Sequence, residues 1–376
     1  SRAAELGRRF LDLNDAGRVR FLCLMADNYS VDEEHLTAVI ESWLSADSDQ
    51  RAMLEAQLRS ALEPPRMKLL TQFNELPQGV KFLVDMRSEL LRLRLEHPNL
   101  APLEVDLKRL LSAWFDVGLL QLEEINWSSS AELLEKLIAY EAVHAIQSWT
   151  DLKNRLDSDR RCFAFFHPNM PDEPLIFVEV ALVKGMANNV QALLDELAPL
   201  EDIRLADTAI FYSISNAQKG LSGISFGNFL IKSVVKKLQQ EFPQLKQFAT
   251  LSPIPGFCRW LDSMDAVKAS DLSGEDSISG SPEQLQKLAA HYLVEQKQQR
   301  NDKHARDPVA HFHLSNGAKL ERLNWMADTS DNGVKQSAGM MVNYLYELPH
   351  IESRSQSYSA DGKVAVSTSI EKQLTL

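Results

Sequence analysis

Up to about residue 116 apolar side chains recur at three- and four-residue spacing, a regularity that calls for helices packed on one another. The stripe is clearest in Val80, Leu83, Val84, Leu90 and Leu91, and again in Leu103, Leu107, Leu110, Leu111 and Trp114. Interruptions fall at Pro64-Pro65, at Pro77 with Gly79, and between His97-Pro98 and Pro102, because proline cannot continue a helix interior. No strand-like alternation is expected before about residue 160. This first part reads as a helical bundle, residues 1–116, and carries no chemistry of its own.

After it the character changes. Ser129 with Glu132 has capping-box spacing and opens a helix through Leu133, Leu134 and Leu137. Short β-rich runs follow at Cys162–Phe166, Leu175–Val183, Thr208–Ser215, Phe248–Leu251, Ala310–Leu314 and Met340–Leu348. A helix is expected over Asn228–Phe242, where Leu230, Val234, Leu238 and Phe242 form its buried stripe and Pro243 ends it. The polar stretch Ala269–Ser281 reads as a mobile surface loop. Ser281-Pro282-Glu283-Gln284 then supplies an N-cap, a proline at the first helical position and a capping partner. From Ser353 onward the Ser-rich tail reads as loosely held. The expectation is an α+β protein in which a mixed α/β domain, residues 117–376, follows the helical one.

Bulk properties narrow the partners. A chain of 376 residues is long for a single core and suits two domains. A net charge of -12 speaks against nucleic acid or an anionic membrane surface as the main partner, yet leaves room for a small anion at a local basic patch. Three cysteines (Cys23, Cys162, Cys258) form no metal-type spacing and suit a reduced intracellular protein. No apolar run reaches the roughly 18 residues that a transmembrane helix needs. The N-terminus lacks an apolar signal region and the C-terminal Leu374-Thr375-Leu376 is not a peroxisomal address. A cytoplasmic location is expected, or an organelle matrix where a targeting segment upstream has been trimmed.

Three segments carry chemistry. The run Thr208–Ser215 leads into Gln218, Lys219, Gly220, Leu221, Ser222, Gly223, Ile224, Ser225, Phe226, Gly227 and Asn228, and then into a helix. Glycines spaced by three and four residues let backbone approach a ligand closely, and the amides and dipole of a helix start attract phosphate, with Lys219 adding a charge. A ligand-free glycine turn has the same text, and the run is neither a Walker loop nor a dinucleotide fingerprint. The second segment is Leu251–Phe257, in which Pro253 drives Ser252 toward extended geometry at the end of a strand. A structural turn is the plain alternative, and no Gly-x-Ser-x-Gly elbow marks Ser252 as a hydrolase nucleophile. The third is Asp307–Leu314, where His311 and His313 alternate on one face of the expected strand. Two histidines so placed suit a metal, although no third ligand is in evident reach, and a structural role competes. Trp325, Tyr344 and Tyr346 read as core or pocket lining.

Taken together, these segments resemble the malonyl-CoA decarboxylase family. The matching text runs from Arg160-Arg161-Cys162 through Thr208–Ser215, Leu251–Phe257, Asp307–Ala310, Phe312–Leu314 and Asn324–Asp328 to Asn343-Tyr344, about half the chain and in order. The helical part matches more loosely. The resemblance implies an acetyltransferase-like (GNAT) catalytic domain that binds CoA at a splayed pair of strands, with its pyrophosphate on the loop Gln218–Asn228. It also implies Ser252 and His313 as catalytic residues, Tyr346 in the pocket, no part for His311, and a homo-oligomer (dimer or tetramer) built through the helical domain. Animal members carry a glutamate where this chain has Ser225.

The expected reaction takes malonyl-CoA to acetyl-CoA and carbon dioxide. No metal or organic cofactor is expected, because the thioester carbonyl is itself the electron sink. Ser252 would orient the carboxylate, His313 would donate the proton to the enolate, and amides near Ile254 or Gly256 would face the oxyanion. Alternatives are a GNAT-type acyl-CoA transferase, a non-catalytic acyl-CoA sensor, and a thioesterase using Ser252 as nucleophile.

Overall fold

The computed structural model describes residues 2–74, 76, 78–200, 202–224, 229–264, 281–299 and 301–375. They form two compact units. The first comprises Ser1–Gln121, Phe166–Leu175 and Gln218–Ser225; the second comprises Leu122–Phe165, Ile176–Ala217 and Phe226–Leu376.

The first unit is helical as expected, with helices Arg2–Asp12, Asp15–Asn28, Glu33–Ser45, Ser48–Ala61, Arg66–Phe73, Gly79–Leu93 and Ala101–Trp114. Side chains of Asn14, Asp32 and Asp47 accept backbone amides at three of the starts, and Gln50 completes a capping box with Asp47. Pro64-Pro65 and Pro98 sit between helices, where their missing amides do no harm. Val80, Leu83, Val84, Leu90, Leu103, Leu107 and Leu111 are buried along the stripes that the spacing calls for. Beneath them lies an ion cluster. The Arg87 guanidinium donates twice to Glu104 Oε1, at 3.0 and 2.8 Å, and Arg94 donates to Glu104 Oε2 at 3.1 Å.

The second unit is built on an eight-stranded sheet, and among the described residues a separate two-stranded pair stands beside it. In chain order these are β1 (Gln121–Ile125), β2 (Arg160–Phe166), β3 (Ile176–Val183), β4 (Thr208–Asn216), β5 (Gln247–Thr250), β6 (Ser252–Pro253), β7 (Lys297–Gln298), β8 (Asn301–Ala305), β9 (Lys319–Asn324) and β10 (Met341–Leu345). The sheet order is β1-β2-β3-β4-β5-β10-β6, with β9 on the other side of β10; β7 and β8 form the pair. β3 is buried at all eight positions, as befits a strand covered on both faces. β4 and β5 run parallel, joined by a crossover that contains helix Phe229–Glu241. The fold is therefore α+β, with the helical part first.

Four local expectations are corrected. β1 is a strand before residue 160; it is mostly exposed and carries Glu123 and Glu124, as edge strands do, so no apolar alternation marks it. Ala310–Leu314 is not a strand but part of helix Pro308–Ser315, because the Asp307 carboxylate accepts the amides of Val309 and Ala310 and Pro308 takes the first helical position. The cap of helix Ala131–Tyr140 is Ser130 rather than Ser129. The C-terminal stretch is held firmly: helices Ile351–Asp361 and Thr368–Leu374 bury Tyr358 and Ile370. The expected mobile loop lies, except for Ser281, outside the described residues, and Ser281 with Gln284 makes the capping box foreseen.

Candidate active site

β4 and β5 pair only as far as Phe211 and Thr250, and the last link between them is the Leu251 amide donating to the Phe211 carbonyl at 3.0 Å. β4 then continues to Asn216 beside β3. The chain after Leu251 instead crosses to β10, where Ser252 and Pro253 face Val342 and Met341. The two parallel strands thus part company at this point. A bulge sits beside it, with Tyr212 the extra residue of β4 between Glu179–Ser213 and Val180–Phe211. Ser252 is the first residue beyond the divergence.

Helix Pro308–Ser315 brings His313 to it. His313 Nε2 lies 3.1 Å from Ser252 Oγ, and His313 Nδ1 lies 2.7 Å from the Tyr346 hydroxyl. The imidazole stacks on Tyr344, with ring centroids 4.6 Å apart and 25° between planes. Ser252 donates its hydroxyl proton to Thr250 Oγ1 at 2.9 Å, which also accepts the Tyr344 amide at 3.2 Å. Counting protons orders the chain. Ser252 has one proton and gives it to Thr250, so the bond to His313 needs a proton on Nε2. Nδ1 is then bare and accepts the Tyr346 O–H.

Ser252 is 7% exposed and His313 3% exposed. Burial disfavours the imidazolium and pulls the His313 pKa down to about 3, so the ring is neutral at physiological pH. Burial likewise lifts the Tyr346 phenol well above its usual range, keeping it a donor. Below the site, Asp307 ties two segments together. One carboxylate oxygen accepts Val309 and Ala310 amides, each at 3.0 Å, and the other accepts the Gly256 amide at 3.1 Å. Burial raises the Asp307 pKa to about 6 against the pull of these amides. The Ile254 amide donates to Ser337 Oγ at 2.9 Å. The amides of Ile254 and Gly256 are therefore committed inside the protein, and the expectation that they face an oxyanion is corrected.

His311 does not join His313. Two positions apart on a helix rather than a strand, the two rings diverge: His311 Nδ1 meets the Tyr358 hydroxyl at 2.9 Å, and its ring lies 4.3 Å from that of His304. The metal reading of the pair falls with the strand. Among the described residues no group of three His, Cys, Asp or Glu is arranged to hold a metal ion.

The glycine-rich segment belongs to the first unit. Gln218 is buried, and its side-chain amide donates to Pro174 O at 3.0 Å and Glu173 Oε2 at 3.3 Å. Lys219, Gly220 and Leu221 form a 3-10 turn in which Leu221, Ser222 and Ile224 amides bond the turn's own carbonyls. The Lys219 and Gly220 amides, at the start of the turn, have no acceptor within it. Lys219 is exposed, as is Ser222, and Gly223 has φ +72°, a conformation that glycine adopts freely. Ser225, Phe226, Gly227 and Asn228 lie outside the described residues.

Thr250 is the site residue missing from the sequence reading, whereas Tyr344, read there as core or pocket lining, stacks on His313. Thr250 was within reach, since it stands two residues before Ser252 in extended chain and shares its face. Tyr344 stands likewise two before Tyr346.

The chain matches two family models: "Malonyl-CoA decarboxylase N-terminal domain" over residues 29–115, and "Malonyl-CoA decarboxylase C-terminal domain" over residues 118–279 and 273–376. It is 37% identical to the mitochondrial malonyl-CoA decarboxylase of Mus musculus, with 94% of this chain and 81% of that protein covered. It is 36% identical to that of Anser anser anser, with 95% and 80% covered. Among solved structures it resembles malonyl-CoA decarboxylase from Rhodopseudomonas palustris, with TM-score 0.92, 39% identity and coverage of 98% of this chain and 93% of that one. The enzyme from Agrobacterium vitis gives TM-score 0.91 and 40% identity, with 100% and 95% covered.

Proposed function

The chain belongs to the malonyl-CoA decarboxylase family, and on that premise we propose that Ser252 and His313 carry the decarboxylation of malonyl-CoA in it, with Tyr346 setting the state of the histidine. The observation that supports this most is the proton order of the chain Tyr346–His313–Ser252–Thr250. It offers the substrate a neutral histidine with its N–H at Nε2 and a serine hydroxyl beside it.

The reaction breaks the bond between the carboxylate carbon and the methylene of the malonyl group. The electron pair passes into the thioester carbonyl, leaving an enolate, and carbon dioxide departs. When substrate binds, Ser252 turns its hydroxyl proton from Thr250 to the carboxylate and fixes it out of the plane of the carbonyl, the alignment that lets the breaking bond feed the π system. The Nε2 proton of His313 then moves to the enolate carbon, and the Tyr346 hydroxyl proton follows onto Nδ1; solvent restores the proton. A neutral ring suits this work. An imidazolium would hold the reactant carboxylate by a charge that vanishes as carbon dioxide forms, and so would stabilise the ground state more than the transition state. Burial of His313 keeps that charge away. A placed proton donor contributes about 10²–10⁴-fold.

The same proton order weighs against Ser252 as an acyl-accepting nucleophile, because a general base must accept the serine proton and here the bare nitrogen faces Tyr346. The loop Gln218–Asn228 holds the CoA phosphates on this reading, residues 1–116 form a domain for self-association into a dimer or tetramer, and residues 117–376 form the catalytic domain. The site of action is the cytoplasm or an organelle matrix.

The test is product analysis by mass spectrometry after incubation with malonyl-CoA. Acetyl-CoA forms with wild-type protein and falls by at least about 10²-fold with Ser252→Ala and with His313→Ala. Full turnover by either variant removes that residue from the mechanism, and free CoA as product replaces decarboxylation by thioester hydrolysis.

A further inference from the structure

The Gly220–Gly223 turn rests on the helical unit. A Cβ on Gly220 would lie 1.8 Å from the Val84 carbonyl oxygen, so only glycine permits the turn to seat against the backbone of helix Gly79–Leu93. Arg87 of that helix, 1% exposed and locked onto Glu104, turns its remaining guanidinium nitrogen to the Gly220 carbonyl. The seat is therefore fixed by a group with little freedom of its own.

Lys108, on helix Ala101–Trp114, completes the arrangement. A Cβ on Gly223 would lie 3.3 Å from Lys108 Nζ and 3.8 Å from Cε, so the ammonium stands directly over the glycine. Lys108 is half-buried and has no ion-pair partner among the described residues. The carboxylates on its own helix are taken: Glu104 by Arg87 and Arg94, Asp106 by Arg66. An uncompensated ammonium held against a backbone turn, with Lys219 exposed on that same turn, is an arrangement that attracts phosphate oxygens.

We propose that Lys108, a residue of the helical unit, binds a nucleotide phosphate of the acyl-CoA substrate at the Gly220–Gly223 turn. This rests on reading that loop as the coenzyme's phosphate site. It gives the helical unit a direct share in substrate binding, with Arg87 as the anchor that keeps the turn in reach. Lys108 touches no reacting atom, so its contribution is to KM and not to the chemical step.

The test compares two substrates, malonyl-CoA and malonyl-pantetheine; the second carries the same thioester but no phosphate. Lys108→Met raises KM for malonyl-CoA roughly 5- to 20-fold at unchanged kcat, and leaves kcat/KM for malonyl-pantetheine within about twofold of wild type. Lys108→Arg restores most of the loss. Added salt raises the wild-type KM for malonyl-CoA more steeply than that of Lys108→Met. An unchanged KM, or an equal loss on both substrates, overturns the proposal. The outcome is separable from the roles of Ser252 and His313, since the ratio of the two substrates holds whichever residues perform the chemistry.

Discussion

Replacing Tyr346 by phenylalanine removes one hydroxyl and keeps the ring, including its edge contact with Phe211 at 6.5 Å between centroids. What is lost is the 2.7 Å bond to His313 Nδ1. That nitrogen is then a buried acceptor without a donor, and only the Ser252 oxygen still favours the proton on Nε2. Leaving a buried polar atom unpaired costs about 1–3 kcal/mol. If the imidazole recovers part of this by taking its proton to Nδ1, Nε2 becomes an acceptor and has no proton to give the enolate. A loss of that size in the transition state corresponds to a roughly 5- to 150-fold fall in kcat. KM for malonyl-CoA changes little, because Tyr346 acts through the histidine. Initial rates of acetyl-CoA formation give the kinetic half, and ¹⁵N chemical shifts of His313 in wild type and variant report the tautomer directly. A kcat within twofold of wild type, or an Nδ1–H tautomer already present in the wild type, would refute the proton order from which the mechanism is built.

Other outcomes follow from the same geometry. Asp307→Ala strips the acceptor from the amides of Gly256, Val309 and Ala310 and lowers unfolding stability by about 2–4 kcal/mol, read as a shifted urea midpoint; Asp307→Asn, which keeps one acceptor oxygen, falls between. His313 should also make stability depend on acid. Its folded pKa of about 3 lies below the ordinary 6.5, so the unfolded chain binds the proton first. The neutral ring's contribution is complete above pH 6.5 and is lost on going down toward pH 3 by ~1.4 kcal/mol per unit. His313→Gln removes this slope, and the stability gap between wild type and variant narrows by that amount per unit below pH 6.5; parallel curves in urea titrations would contradict it.

Much of this protein is written in local pattern. The helical stripes of the first part, the strands around Phe163, Val178, Ile210 and Phe248, and the starts at Ser281 and Pro282 depend on spacing and capping within a few residues, and each appears as read. The same locality explains the misreadings. Asp307-Pro308 is a helix start, but the apolar and histidine alternation after it reads equally as a strand, and the choice was made by the Asp307 carboxylate meeting amides on both sides of the site. Gly220 looked like room for a ligand and is room for the carbonyl of Val84, more than a hundred residues earlier.

By itself the sequence determined which residue types were available: a serine on a stiff turn at a strand end, a histidine two residues past another, and a glycine-rich connection. Tertiary structure alone decided the chemistry open to them. The parting of β4 and β5 leaves Ser252 free to turn toward His313, and the helix Pro308–Ser315 brings His313, stacked on Tyr344 of β10, to one partner at each nitrogen. Burial then removes the charge from the ring. These depend on distances between residues 61 and 33 positions apart in the chain, and no local pattern encodes such a distance.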